Sequence, residues 1–346
     1  MISYYFKYYK NFIKSHQKLK KQGQSAQIFD NIGLINPSIG SNNLGDIIIY
    51  DAVYKHLREV FAEAFITEYP SQLHRSHDAR LKMAEEKHLI VGGTNLLASN
   101  MDTRLQWKLD PQDKKFLKEK IILMGVGWWQ YQDNANSYTV NLFDKVLSKT
   151  YLHSVRDSYT EKMLKAAGVK NVINTTCPTL WQLTPKHCSK ISQKKADNVI
   201  TTLTFYHRDT NLDSKLIKIL LESYKKVYMW VQAIEDIDYL KEISSESDRV
   251  ILVPPTLEAY NAILDRDDVE YLGTRLHAGV RAVQKSKRTL IVAVDNRAIE
   301  IGKDTNLNVI SRKDIDLVYD FINKDYQTDI KLPIEKIDQW KSQFRK

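Results

Sequence analysis

Cysteine is scarce in this 346-residue chain: Cys177 and Cys188 are the only two. A disulfide framework is thereby excluded, and a reducing, cytoplasmic setting is expected. Neither cysteine, nor the neighbouring His187, has a second Cys/His pair at ligand spacing, so no metal site is expected. Long apolar runs are missing as well. No stretch comes near the roughly 18 consecutive apolar residues that a membrane-spanning helix needs. The N-terminus lacks the apolar block and small-residue cleavage site of a secretory signal. Acid is absent from residues 1–22, which hold Lys7, Lys10, Lys14, Lys18, Lys20 and Lys21 in a chain whose net charge is +9. Between these lysines stand Ile2, Tyr4, Tyr5, Phe6, Tyr8, Tyr9, Phe12 and Ile13. As a helix over residues 1–24, the segment has the composition that rests on an anionic lipid surface; packed on the body of the protein is the plainer reading. The remaining charge is mixed, and no zinc-finger, helix-turn-helix or RNA-binding signature occurs, so no nucleic-acid partner is expected.

What the chain does have is length for two domains and 43% apolar residues to fill two cores. Short apolar runs alternate with longer amphipathic ones. Ile32–Ile35, His88–Val91, Ile121–Gly125, Tyr151–Val155 and Val172–Asn174 read as strands, with helices at Asp46–Phe61, Ala79–Glu86, Tyr138–Leu147 and Ser158–Ala167 between them. A polar break at Thr184–Asn198 reads as a linker. The pattern then restarts, with strands at Val199–Thr204, Val227–Val231, Val250–Val253, Val269–Leu272 and Leu290–Val294. Helices are expected at Leu212–Tyr224, Ile237–Ile243, Leu257–Leu264 and Leu276–Gln284. Such alternation predicts an α/β fold with two facing Rossmann-like domains, 25–184 and 199–312, each with a mainly parallel sheet. Helices in 313–346 are expected to cross back to the first domain.

Open parallel sheets bind ligands outside the carboxyl ends of their strands, which selects five loops. Asn43-Leu44-Gly45-Asp46 opens the first long helix, where free N–H groups favour an anion; Asp46 either caps that helix or takes a proton from a substrate hydroxyl. Gly92-Gly93 ends a strand in a tight turn or a close ligand approach. Gly125-Val126-Gly127-Trp128-Trp129 carries paired indoles that are either core or a sugar-stacking surface. Arg156, after Ser154-Val155, either holds a carboxylate or phosphate across the cleft or makes an interdomain salt bridge, while Asp157 or Ser158 caps the next helix. Gly273-Thr274-Arg275-Leu276-His277 places a guanidinium and an imidazole at a helix start, a pair able to bind an anion and move a proton.

In this order, the five loops resemble the polysaccharide pyruvyl transferase family. The matching positions are Asn43, Gly45 and Asp46; Gly92 and Gly93; Gly125 and Gly127; Ser154 with Arg156 and Asp157; and Arg275, Leu276 and His277. Many members carry Gly-Asp-Pro-Ala where this chain has Thr176-Cys177-Pro178-Thr179, so the proline is kept and the acid is lost. The resemblance implies a GT-B-like fold and transfer of pyruvate from phosphoenolpyruvate to a sugar of a cell-surface polysaccharide precursor, closing a pyruvate ketal. It implies no cofactor, a sugar or lipid-linked oligosaccharide as acceptor, and a place at the inner face of the plasma membrane. Arg156 and Arg275 would hold the donor. His277 would be the acid or would stabilise the leaving phosphate, and Asp46 would be the base. Asn43, Gly45, Gly93, Gly127, Trp128 and Leu276 would line the substrate site. The competing expectation is a glycosyltransferase of the same fold that uses a nucleotide sugar.

Overall fold

The computed structural model describes residues 6–11, 13–14 and 29–345. The N-terminal segment read as lipid-binding lies largely outside the described residues; within it, residues 6–11 and 13–14 are helical, and Phe6, Tyr8, Tyr9 and Ile13 are exposed. Among the described residues, no helix is long and apolar enough to cross a membrane.

Two parallel sheets carry the fold. In the first, β1 (Asn31–Asn36), β2 (Phe65–Pro70), β3 (His88–Gly92) and β4 (Ile121–Met124) lie in the order β2-β1-β3-β4. A further parallel pair, β5 (His153–Val155) and β6 (Val172–Asn174), continues this sheet beyond β4: Gly125 N–H donates to Ser154 C=O at 3.0 Å, and Val126 bridges Val155. The second sheet comprises β7 (Asn198–Thr201), β8 (Lys226–Trp230), β9 (Val250–Val253), β10 (Val269–Gly273), β11 (Thr289–Ala293) and β12 (Val309–Ser311). Its order, β12-β11-β10-β7-β8-β9, is the doubly wound order of dinucleotide-binding folds.

The central strands are continuous apolar runs because helices cover both of their faces: every residue of β3 and β11 is buried. The edge strand β2 departs from this pattern. Its residues are mostly solvent-facing and it ends in Pro70, which an edge position tolerates; the sequence pattern therefore passed over it. The Asn296–Thr305 helix and β12 were passed over as well, because the helix buries only a thin stripe through Ala298 and Ile301. Helix starts follow side-chain caps: Asn43, Asn136, Asp157, Asp209, Thr256 and Asp295 each accept a backbone N–H of the first turn.

The segment 184–198, read as a polar linker, contributes more than a connection. Cys188 and Ile191 are buried in the core of the second domain, and His187 bonds through its ring to the Val283 carbonyl at 2.7 Å. The C-terminal helix Ile334–Ser342 lies against the first domain, where Ile337 and Trp340 join Ile32, Leu34, Val53, Ile90 and Trp181 in one core. Trp340 is 0% exposed and meets the rings of Trp181 and Phe344. Trp340→Ala should therefore cost about 3–5 kcal/mol, read as a lower urea midpoint. An unchanged midpoint would show that the helix does not hold the first domain in solution.

Candidate active-site cleft

The strand order of the first sheet reverses between β1 and β3, and that of the second between β7 and β10. Ligands of doubly wound sheets bind outside the carboxyl ends of the strands at such switch points. Here the two switch points face one cleft of about 770 Å³. Asn42, Asn43, Thr94, Asn95, Arg104 and Trp129 line it from the first domain, and Tyr206, Gln232, Arg275, Asn296 and Arg297 from the second. Several of these walls carry hydrogen-bonding capacity that the protein leaves unused. Asn95 Oδ1, Gln232 Nε2 and Asn296 Oδ1 are buried and have no partner among the described residues. Buried amides without partners are costly, and a polyhydroxylated ligand in the cleft would satisfy them.

A smaller recess of about 30 Å³ shares Asn43, Tyr206, Gln232, Arg275, Asp295 and Arg297 with the cleft. Three helix N-termini meet there: Leu44–Val60 through Asn43 and Gly45, Leu276–Gln284 through Leu276, His277 and Ala278, and Asn296–Thr305 through Asp295 and Arg297. First-turn amides have no intrahelical partner and carry partial positive charge. The Leu276–Gln284 helix has no side-chain cap at all. Two guanidiniums reinforce this polarity. Arg275 donates through Nε to Leu203 C=O at 2.8 Å, through Nη1 to Tyr206 Oη at 3.1 Å, and through Nη2 to both oxygens of Asp236 at 3.2 Å. Arg297 is clasped by Asp295, with Nε at 2.9 Å from Oδ2 and Nη2 at 2.5 Å from the same oxygen. Within this pair the Asp295 carboxyl is lowered even though burial opposes its charge, and the Arg297 guanidinium is pushed higher still. Both groups are therefore charged.

His277 forms the inner wall of the recess and is 8% exposed. Burial, then the charges of Arg156 and Arg297, push its pKa down to about 3, so it is neutral at pH 7. Its Nε2 stands 3.7 Å from Cys177 Sγ, and the Thr179 hydroxyl donates to that sulfur at 3.1 Å. Cys177 is fully buried, and burial pushes its thiol pKa up. A neutral thiol thus occupies the place where a carboxylate would have drawn a proton onto the imidazole.

Other expected site residues sit elsewhere. Asp46 does not line the cleft: its carboxylate accepts from Ser41 Oγ at 2.6 Å, Thr94 Oγ1 at 2.9 Å and Gln72 Nε2 at 3.2 Å, tying the loop after β1 to the loop after β3. Its pKa is raised, chiefly by burial. Arg156 is 1% exposed and lies over Gly127, where an added Cβ would fall 2.2 Å from its Cζ. Gly127 is therefore a seat for Arg156 rather than a ligand contact. Arg156 bonds Asp157 at 3.2 Å, keeps Nη2 without a partner, and acts on His277 from beneath the cleft. Gly93, at φ 62°, packs where a side chain would strike Ile49, while the next two residues, Thr94 and Asn95, line the cleft. Trp128 is 0% exposed in the first core, with Nε1 donating to Gln132, and it is Trp129 that faces the cleft. Asn43, Gly45, Arg275, Leu276 and His277 are gathered at the recess. The sequence reading missed Arg297, Tyr206, Gln232 and Arg104, and of the indole pair it took Trp128 rather than Trp129 for the site. Of these, Asp295-Asn296-Arg297 follows the carboxyl end of β11, so the same strand-end rule would have found it.

The fold and site define a two-domain α/β protein with an arginine-lined recess and an amide-lined cleft between its domains. The description of the family Polysaccharide pyruvyl transferase matches residues 43–296, and the chain belongs to that family. A comparison with curated proteins found no match. Among solved structures, a UDP-N-acetylglucosamine 2-epimerase shares 10% identity over 92% of this chain and 93% of its own, with a TM-score of 0.42. A glycosyltransferase from Rickettsia africae ESF-5 shares 10% over 92% and 99%, with a TM-score of 0.39. Medicago truncatula UGT71G1, complexed with UDP-glucose, shares 9% over 93% and 95%, with a TM-score of 0.35.

The neutrality of His277 has a measurable consequence. An unfolded histidine titrates near 6.5, whereas His277 in the fold does so at about 3. The unfolded chain takes up this proton first, so stability falls as pH drops from about 6.5 toward 3. His88 and His153, each lowered to about 4 by burial, add to the same slope. His277→Gln should therefore shrink, without abolishing, the drop in urea midpoint between pH 7 and pH 4.5. An identical drop in the variant would mean that His277 is charged or solvated.

Proposed function

We propose that the protein transfers the pyruvyl group of phosphoenolpyruvate to a sugar hydroxyl and closes a pyruvate ketal on a cell-surface polysaccharide precursor. The observation that carries this reading is the convergence of Arg275, Arg297, His277 and three helix starts on one recess beside an amide-lined cleft. An anionic group of a small donor matches the recess, and the rest of the donor and a sugar match the adjoining cleft. Burial, and after it the guanidinium field, keeps His277 neutral; the negative charge of the donor offsets that field, so donor binding favours proton uptake on the imidazole. That proton goes to the methylene carbon of the enol and leaves an oxocarbenium-like centre at the neighbouring carbon. An acceptor hydroxyl attacks this centre and gives up its proton. His207 takes the role of base in this reading: it lines the cleft and, with its pKa lowered chiefly by burial, is free to accept a proton. Phosphate then leaves with the C–O electron pair, and a second hydroxyl of the same sugar attacks the resulting centre, gives its proton to the departing phosphate and closes the ketal. The helix amides and Arg297 stabilise the departing phosphate. No cofactor enters the sequence.

Arg297→Ala and His277→Ala should each lower pyruvyl transfer by at least about a hundredfold while leaving the melting temperature within a few degrees. Transfer would be followed by phosphate release from phosphoenolpyruvate with a lipid-linked oligosaccharide acceptor. Stabilisation by a nucleotide sugar but not by phosphoenolpyruvate would replace this reading with that of a glycosyltransferase. The reading also includes peripheral attachment at the inner membrane face through residues 1–22, which would bring the enzyme to a lipid-linked acceptor. Deleting these residues should weaken binding to anionic liposomes several-fold at low salt; equal binding would remove the attachment.

A further inference from the structure

Among the described residues, Arg104 is the one cation lining the cleft that the donor reading does not use. Arg275 and Arg297 line both the recess and the cleft, whereas Arg104 lines only the cleft, on the opposite domain. Its guanidinium lies on the indole of Trp129, with Cζ 3.5 Å from the ring centroid, and Trp129 packs against the core of the first domain. Nη2 donates to Gln106 Oε1 at 2.6 Å. Among the described residues, Nε is buried without a partner and Nη1 has no hydrogen bond. Among the described residues no carboxylate pairs with Arg104, in contrast to Arg275 and Arg297, which are held by Asp236 and Asp295. Burial and the charge of Arg297 both disfavour its charged state. Stacking on Trp129 explains where the guanidinium plane lies. It does not explain why a partly buried cation faces another cation with no counter-ion. An anion entering the cleft would relieve that repulsion and engage the free donor.

Resting on the proposed donor and acceptor assignment, we infer that the acceptor sugar carries an anionic group of its own, a carboxylate or a phosphate ester, which docks on Arg104 over Trp129. Arg275 and Arg297, which border both the recess and the cleft, meet the donor's two anionic groups, which leaves Arg104, on the opposite domain, for a charge of the acceptor. Asn42, Asn95 and Gln106 stand along the same side of the cleft and suit the hydroxyls flanking such a group. Arg104 is thus a specificity-determining residue that separates acidic from neutral acceptors.

The test is calorimetric titration of the full chain at low salt with two matched pairs: glucuronosyl-β-1,4-glucose against cellobiose, and glucose 6-phosphate against glucose. The acidic member of at least one pair should bind about tenfold more tightly, the scale of one charge-assisted hydrogen bond. The pair with the larger ratio names the group as carboxylate or phosphate. Arg104→Gln should remove the preference, and Arg104→Lys should keep part of it, since it retains the charge but not the flat fork. The inference is overturned if acidic and neutral members bind alike, if none binds the wild-type chain, or if the preference survives in a folded Arg104→Gln variant. Should Arg104→Gln fail to fold, a folded Arg104→Met takes its place: loss of the preference in it supports the inference, and full retention overturns it. Phosphoenolpyruvate titrated into the wild-type chain reports on the donor separately. Donor binding without acid preference sinks only the present inference, and acid preference without donor binding sinks only the donor assignment.

Discussion

Everything proposed for the recess depends on two arginine–carboxylate pairs that hold charge at a crowded domain junction. Arg275 is held by Asp236, and the same carboxylate accepts the backbone N–H groups of Gln232 and Ala233. Arg297 is held by Asp295, which also caps the helix that carries Arg297. A buried guanidinium without such a partner would be expelled or destabilising. With one it stays charged, and its remaining donors are left over for a ligand. Both acids come from the second domain, so each cation is positioned by its own sheet. The first domain completes the recess from across the junction: Gly45, at the start of the Leu44–Val60 helix, lies so close to the second domain that an added Cβ would come within 3.6 Å of His277 Cβ.

The same field sets the chemistry. Burial and, after it, positive charge act together on His277, and a thiol in place of an acid offers it no compensation. The unliganded site therefore holds a neutral imidazole, and protonation is coupled to arrival of an anion. In the proposed reaction, such coupling would keep the acid unarmed until the donor is in place. It also gives the buried Arg156, which touches no cleft surface, a role in setting the charge of the group that does.

Much of the fold was legible because buried parallel strands are unbroken apolar runs and the helices between them begin at capping residues. β2 escaped because an edge strand need not be apolar, and the Asn296–Thr305 helix because its buried stripe is thin. At the site, strand-end position pointed to Asn43, Arg275 and His277. It could not decide which way a side chain turns. Adjacent residues leaving a strand point to opposite sides, so Trp128 enters the core and Trp129 the cleft. Asp46 follows a loop that supplies Ser41 and meets Thr94 and Gln72; three donors converge on its carboxylate and turn it inward, a long-range arrangement with no local signature. Arg156 finds its bed on Gly127, close in space and distant in sequence. Tyr206 and Gln232 reach the site from loops after β7 and β8 whose composition is unremarkable for a turn.

The central claim is that the recess at Arg275, His277 and Arg297 receives the donor. A crystal structure of the full chain soaked with phosphoenolpyruvate tests it most directly. The account predicts ligand density in the recess, with phosphate and carboxylate oxygens within hydrogen-bond distance of Arg297 and Arg275 and the methylene carbon facing His277. Density confined to the outer cleft, or a recess that stays empty at saturating donor while a nucleotide sugar fills it, would contradict the account.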